Sequence, residues 1–140
     1  MIVLDTNVVS EPLRPAPSPA VLNWLNAQEP QTLFITAINW AELAAGVEAL
    51  PPGRKRQALE QAMSTQVHAL FSGRILPFDT RAAGWFAKAH AAAQMHGNLI
   101  GFADCAIAAI ALANGYALAT RNLRDFNGTG VKLIAPWTAK

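Results

Sequence analysis

With 140 residues, 52% of them hydrophobic and 14% charged, the chain has the size of one domain and enough apolar side chain to bury a core, which excludes intrinsic disorder. A net charge of +2 is too small to mark a nucleic-acid binder by charge alone, so the distribution of charge carries the information. The single cysteine, Cys105, excludes an intramolecular disulfide and a cysteine-based metal cage; it reads as a small buried filler, and a cytoplasmic location follows.

Met1–Leu4 is a short buried strand that Asp5 cuts off, and no basic residues precede it as they would in a signal peptide. Arg, Asn, Gln, Gly or His interrupts every later apolar run, so no membrane span is predicted. Pro12, Pro15, Pro17 and Pro19 break up the next stretch, and Ser18-Pro19 supplies an N-cap and first helical residue for a helix to about Gln28. Leu33–Ile35 is a second strand, followed by a helix over 37–50 that Pro51-Pro52-Gly53 ends. Leu59, Met63, Val67, Leu70 and Phe71 have helical spacing within 54–72. Residues 74–77 form a third strand, and Asp79 or Thr80 caps an Ala-rich helix that stops at Gly97. A helix over 101–114 ends at Gly115, Tyr116–Thr120 is a fourth strand, and Val131–Ile134 a fifth. No repeat or linker divides the chain, so residues 1–140 read as a single domain of α/β class, with a mostly parallel sheet covered on both faces.

Only nine residues are Asp or Glu, and four of them fall at strand ends or helix starts. Asp5 follows the first strand, Asp125 lies shortly after the fourth, and Glu42 and Asp104 lie near the starts of two helices. Parallel pairing gathers such positions at one sheet edge, where open α/β sheets bind ligands. Clustered carboxylates suit a hard divalent cation, and phosphodiester hydrolysis is the chemistry such a cation serves best. His68, His90 and His96 fit no metal or nucleophile pattern. Each acid also has a structural reading. Asp5 fits a turn leaving a strand, Glu42 a capping box with Asn39, Asp104 the positive end of a helix dipole, and Asp125 turn chemistry. Their joint placement favours a site.

Several motifs resemble those of PIN-domain ribonucleases. Ile2-Val3-Leu4-Asp5-Thr6-Asn7-Val8-Val9-Ser10-Glu11-Pro12 is similar to the start of VapC-like toxins of type II toxin–antitoxin pairs, nearest to their FitB branch. Trp40-Ala41-Glu42-Leu43 with Gly46, Ala103–Ala109 around Asp104, and Ala119-Thr120-Arg121-Asn122 resemble the later motifs, and 74–79 also looks like the FitB branch. The resemblance implies a PIN-like three-layer α/β/α sandwich with four to five strands. It also implies Mg²⁺-dependent RNA cleavage by metal-activated water, with Mn²⁺ as an alternative cation. Asp5, Glu42 and Asp104 would be the metal ligands, with Thr120, and more weakly Thr6, as a hydroxyl contact to a ligand or water. The expected partners are a homodimer mate, an inhibiting antitoxin and, only through that antitoxin, DNA. Asn122 stands where the family often has its fourth acid, and Asp125 follows three residues later.

The loss of charge at Asn122 leaves a second class of function open, an inactive PIN-fold module that helps an antitoxin bind operator DNA. An aspartyl-nucleophile phosphatase would need a second acid where this chain has Asn7, which cannot serve as general acid. Arg121 and Arg124 flank the site and suit RNA phosphates or a solvated loop equally. Arg54-Lys55-Arg56 reads as a solvated helix end. Trp24, Trp40, Trp85 and Trp137 read as core or interface residues.

Overall fold

Ile2–Leu4 (β1), Leu33–Thr36 (β2), Ile75–Leu76 (β3), Ala117–Ala119 (β4) and Leu133–Ile134 (β5) form one parallel sheet in a computed structural model that describes residues 1–138. The spatial order is β3-β2-β1-β4-β5, which puts the first strand at the centre. Side chains alternate across each strand and sort into two cores. Val3, Leu118, Phe34, Leu76 and Leu133 join one core, while Ile2, Leu4, Leu33, Ile35 and Ala119 join the other.

Thr80–Met95 (α5) and Phe102–Asn114 (α6) cover the first face through small buried residues, among them Ala89, Ala93, Cys105, Ala108 and Ala111. The second face is covered by Thr6–Ser10 (α1) and Pro19–Asn26 (α2) through Val8, Val9 and Val21, and by Val67 and Phe71. Ala37–Glu48 (α3) reaches both cores, with Ile38 in one and Trp40 and Leu43 in the other. The result is the expected three-layer sandwich, with five strands, all parallel. Among the described residues no helix is long and apolar enough to cross a membrane.

Local structure departs from expectation in several places. Asp5 opens the five-residue helix α1, followed by a 3₁₀ turn at Glu11–Leu13, where only a Pro-broken stretch was expected. Ser18 holds the N-cap position of α2, yet its side chain makes no cap bond and the helix stops at Asn26. The helix predicted over 54–72 is α-helical only at Arg54–Ala62 (α4) and continues as a π-helical stretch at Met63–His68, which turns Met63 and Val67 inward. Arg56, expected to be a solvated end, pairs with Glu48 at 2.6 Å and Glu60 at 3.0 Å. Gly115, in the left-handed region at φ 71°, ends α6 as expected and lets the chain turn into β4. Trp24, Trp40 and Trp137 pack against the second core, whereas Trp85 is 36% exposed.

Candidate active site

Parallel register sets the end of β1 beside the end of β4, with Leu4 opposite Ala119. The next residues, Asp5 and Thr120, meet there. Thr120 Oγ1 donates to Asp5 Oδ2 at 2.7 Å, and the Asp5 N–H donates to the Ala119 carbonyl at 2.8 Å. Asp5 Oδ1 accepts the Thr6 N–H at 2.8 Å, which makes Asp5 the N-cap of α1. Asn7 Nδ2 adds a third, longer bond to Oδ2 at 3.4 Å. The carboxylate is therefore buried and fixed in orientation by three donors.

Glu42 is placed differently. The capping box that opens α3 is formed by Thr36 and Asn39, so the expected Asn39–Glu42 box is replaced by one that starts three residues earlier. Glu42 is exposed, one turn past Ile38, and its Oε1 accepts from Thr6 Oγ1 at 2.7 Å. That hydroxyl in turn accepts from Asn39 Nδ2 at 3.0 Å. Thr120 behaves in parallel: its Oγ1 accepts the Asn122 N–H at 3.1 Å and gives its proton to Asp5. Each threonine hydroxyl thus takes a hydrogen bond from an N–H donor and points its own proton at a carboxylate.

Asp104, in the first turn of α6, completes the group by charge. Burial and the negative charges of Asp5, Asp125 and Glu42 push its carboxyl up to about 6. A helix N-terminus alone would act in the opposite direction, so the dipole does not explain this residue. Burial also raises Asp5; the bonds from Thr120 and Thr6 oppose it, and Glu42 and Asp125 add to it. Asp125 is exposed on a 3₁₀ turn, Leu123–Phe126, anchored by buried Phe126. Asn98 Nδ2 holds that turn through the carbonyls of Asp125 at 3.1 Å and Asn127 at 2.9 Å. Asn122 enters the network through its main chain, while its side chain stays exposed.

Residues 2–131 match the PIN domain family. The chain belongs to that family. It is 43% identical over 137 residues to VapC ribonuclease Y4jK of Sinorhizobium fredii, covering 98% of each. It is 41% identical over 137 residues to Toxin FitB of Neisseria gonorrhoeae, covering 98% of this chain and 99% of that one. Its fold matches a chain of FitAB bound to an IR36 DNA fragment with a TM-score of 0.95 and 40% identity, over 100% of this chain and 98% of the other.

Within this PIN domain Asp5 differs in kind from the other buried carboxylate, Glu11. Glu11 is held below the usual carboxylate range by the Ser18 N–H at 2.9 Å, with help from Arg14. Ion pairs among the described residues join Arg14 to Glu11 and Arg56 to Glu48 and Glu60, and none reaches Asp5, Glu42, Asp104 or Asp125. An all-oxygen, uncompensated donor set fits a hard cation in its chemistry. As the side chains stand, no three Asp, Glu, His or Cys among the described residues form a finished chelate.

The two flanking arginines have different surroundings. Arg121 lies over the Trp137 ring at 5.2 Å, and Arg124 is exposed on the turn that carries Asp125. Asn39 and Asn98 had not been expected to support the site. The spacing Thr36–Asn39 is a legible capping signal, but nothing local in sequence shows that the Asn39 amide reaches α1. Asn98 reaches across from the α5–α6 connection, which only tertiary structure reveals.

Proposed function

We propose that the chain is the toxin of a toxin–antitoxin pair and a Mg²⁺-dependent endoribonuclease, with Mn²⁺ able to replace Mg²⁺. The observation that carries this reading is the set of four acids at one sheet edge, mutually repelling and with no ion pair to any of them among the described residues. The ribonuclease and toxin names of relatives at about 40% identity over the full chain support it. A bound cation would lower the pKa of water and polarise a phosphoryl oxygen.

Asp5, Glu42 and Asp104 would hold that cation. Asp5 has the least freedom, since its three donors fix the plane of its carboxylate. Asp104, with its raised pKa, gains most from a positive charge nearby. Asp125 would add negative charge at the exposed rim, and Asn122 would offer an uncharged hydrogen-bonding group there. Thr120, expected to contact a ligand or water, orients Asp5 with its proton. Arg124 would bind RNA phosphate next to the acids. An inhibiting antitoxin, DNA contact through it and a homodimer complete the proposal; FitAB bound to DNA is the relative that supports the first two.

The test is cleavage of total and structured RNA by purified, antitoxin-free protein in Mg²⁺, Mn²⁺ or EDTA, beside Asp5→Asn. Metal-dependent cleavage that falls by about a hundredfold or more in a folded variant is the expected result. Equal rates for the variant and parent would remove Asp5 from the site. A folded protein that neither cleaves RNA nor binds Mn²⁺ would favour the inactive binding module, the reading that uncharged Asn122 supports.

A further inference from the structure

We infer that Asn39 is a positioning residue for Glu42, acting through the hydroxyl of Thr6. The inference rests on the proposed role of Glu42 as a cation ligand. Asn39 is fully buried. Its Oδ1 accepts from the Thr36 N–H and from Thr36 Oγ1, both at 2.8 Å, and its own N–H donates to Thr36 Oγ1 at 3.1 Å. A helix cap needs no more than this.

The other half of the amide leaves the cap. Because Oδ1 is occupied by two donors, Nδ2 is the end that faces α1, where it donates to Thr6 Oγ1 at 3.0 Å. A hydroxyl has one proton, and Thr6 directs it to Glu42 Oε1 at 2.7 Å. Asn39 therefore sets the direction of the relay as well as its position. An apolar residue at 39 would leave the Thr6 hydroxyl free to turn.

Thr6 also ties two acids together, since its N–H donates to Asp5 Oδ1 at 2.8 Å while its hydroxyl donates to Glu42. Glu42 comes from a different helix, is exposed, and has no ion pair among the described residues. A long exposed side chain loses rotamer freedom when it binds a cation, and a relay rooted in a buried amide removes part of that loss beforehand. Asn39 thereby registers Glu42 against Asp5 across the end of β2, α3 and α1.

The test is calorimetric Mn²⁺ titration of the full chain for the parent, Thr6→Val, Thr6→Ser and Asn39→Ala, the first two substitutions also made in a Glu42→Gln background, with folding checked by circular dichroism. Thr6→Val is expected to weaken Mn²⁺ binding about tenfold, the lower end of what the loss of such supporting bonds costs a metal site. Thr6→Ser keeps a hydroxyl and should restore most of the affinity. In Glu42→Gln, Thr6→Val should have no further effect; Asn39→Ala should weaken binding by no more than Thr6→Val does, and a Thr6→Val/Asn39→Ala double variant should bind no more weakly than Thr6→Val. Parent-like affinity for Thr6→Val or for a folded Asn39→Ala, or an equal loss with and without the Glu42 carboxylate, would overturn the inference alone. A parent that binds no Mn²⁺ would overturn the metal reading of the site, and the inference with it. If Asn39→Ala fails to fold, Asn39→Ser, which keeps a capping hydroxyl and lacks the Nδ2 donor to Thr6, takes its place.

Discussion

Thr120 lies 2.7 Å from the Asp5 carboxylate although 115 residues separate them, because β1 and β4 are neighbours in parallel register. Thr120 is fully buried, and its bond is the main force opposing the rise that burial imposes on Asp5. Thr120→Val keeps the shape and removes the bond. The Asn122 N–H loses its acceptor, so stability should fall by about 1 kcal/mol. The Asp5 carboxyl should rise further, and Mn²⁺ binding should need a higher pH than in the parent. Urea unfolding and Mn²⁺ titrations at pH 6 and 8 measure both effects; an unchanged pH dependence would separate Thr120 from the charge state of Asp5.

The raised acids make the metal-free protein less stable at neutral pH. Asp104 sits near 6 when folded and 3.8 is its ordinary value, so the folded state binds its proton more tightly. Its stabilising effect is fully present below the unfolded value and is lost as pH rises through about 6. Asp5 shifts in the same direction. Glu11 shifts the other way, but its contribution is lost only below the ordinary value of 4.5. In EDTA, unfolding free energy should therefore increase from pH 7 to pH 5, and Asp104→Asn should flatten that rise. Saturating Mn²⁺ should remove it, because the cation favours the ionised acids. A metal-free protein that loses stability over this range would contradict the crowding of these carboxylates.

Asn98 anchors the turn that carries Asp125 through two main-chain carbonyls, at 3.1 and 2.9 Å. Asn98→Ala should cost about 1–2 kcal/mol of stability through those two bonds. Hydrogen exchange should quicken around residues 123–127, while the ends of β1 and β4 keep their protection. RNA cleavage should fall less than in Asp5→Asn, because Asp125 lies at the rim. Exchange unchanged in this turn would show that buried Phe126 holds it alone.

Asp5, Asp125 and the strands before them were legible because a parallel sheet ends its strands on one edge, and short apolar runs mark those ends. Glu42 and Asp104 were legible as acids near helix starts. The helix at Thr6–Ser10 was not, since five residues give no full hydrophobic period and Pro12 follows at once. The π-helical stretch at Met63–His68 was equally hidden, because Leu59, Met63, Val67 and Leu70 keep an ordinary helical spacing. Asn39 looked like half of a capping box and proved to be so, but with Thr36 as its partner. The bond from its amide to Thr6 depends on α1 and α3 packing together, which no local pattern encodes.

Gly128 and Gly115 separate two costs of replacing a glycine. Both lie in the left-handed region, at φ 80° and 71°, so alanine at either position costs about 1 kcal/mol or more in backbone strain. At Gly115 a Cβ would meet nothing within 4 Å, and strain is the whole effect. At Gly128 it would lie 2.7 Å from His96 Cβ and 2.9 Å from His96 Cγ, so α5 or the loop must move. Gly128→Ala should therefore lose at least about 1 kcal/mol more than Gly115→Ala in urea unfolding. A shift of the loop would pass to the Asp125 turn, with which it is continuous and which Asn98 holds through Asn127. Cleavage should consequently drop in Gly128→Ala and stay near the parent level in Gly115→Ala. Equal losses of stability in the two variants would show that the His96 side of the loop yields freely and that Gly128 matters only for its backbone conformation.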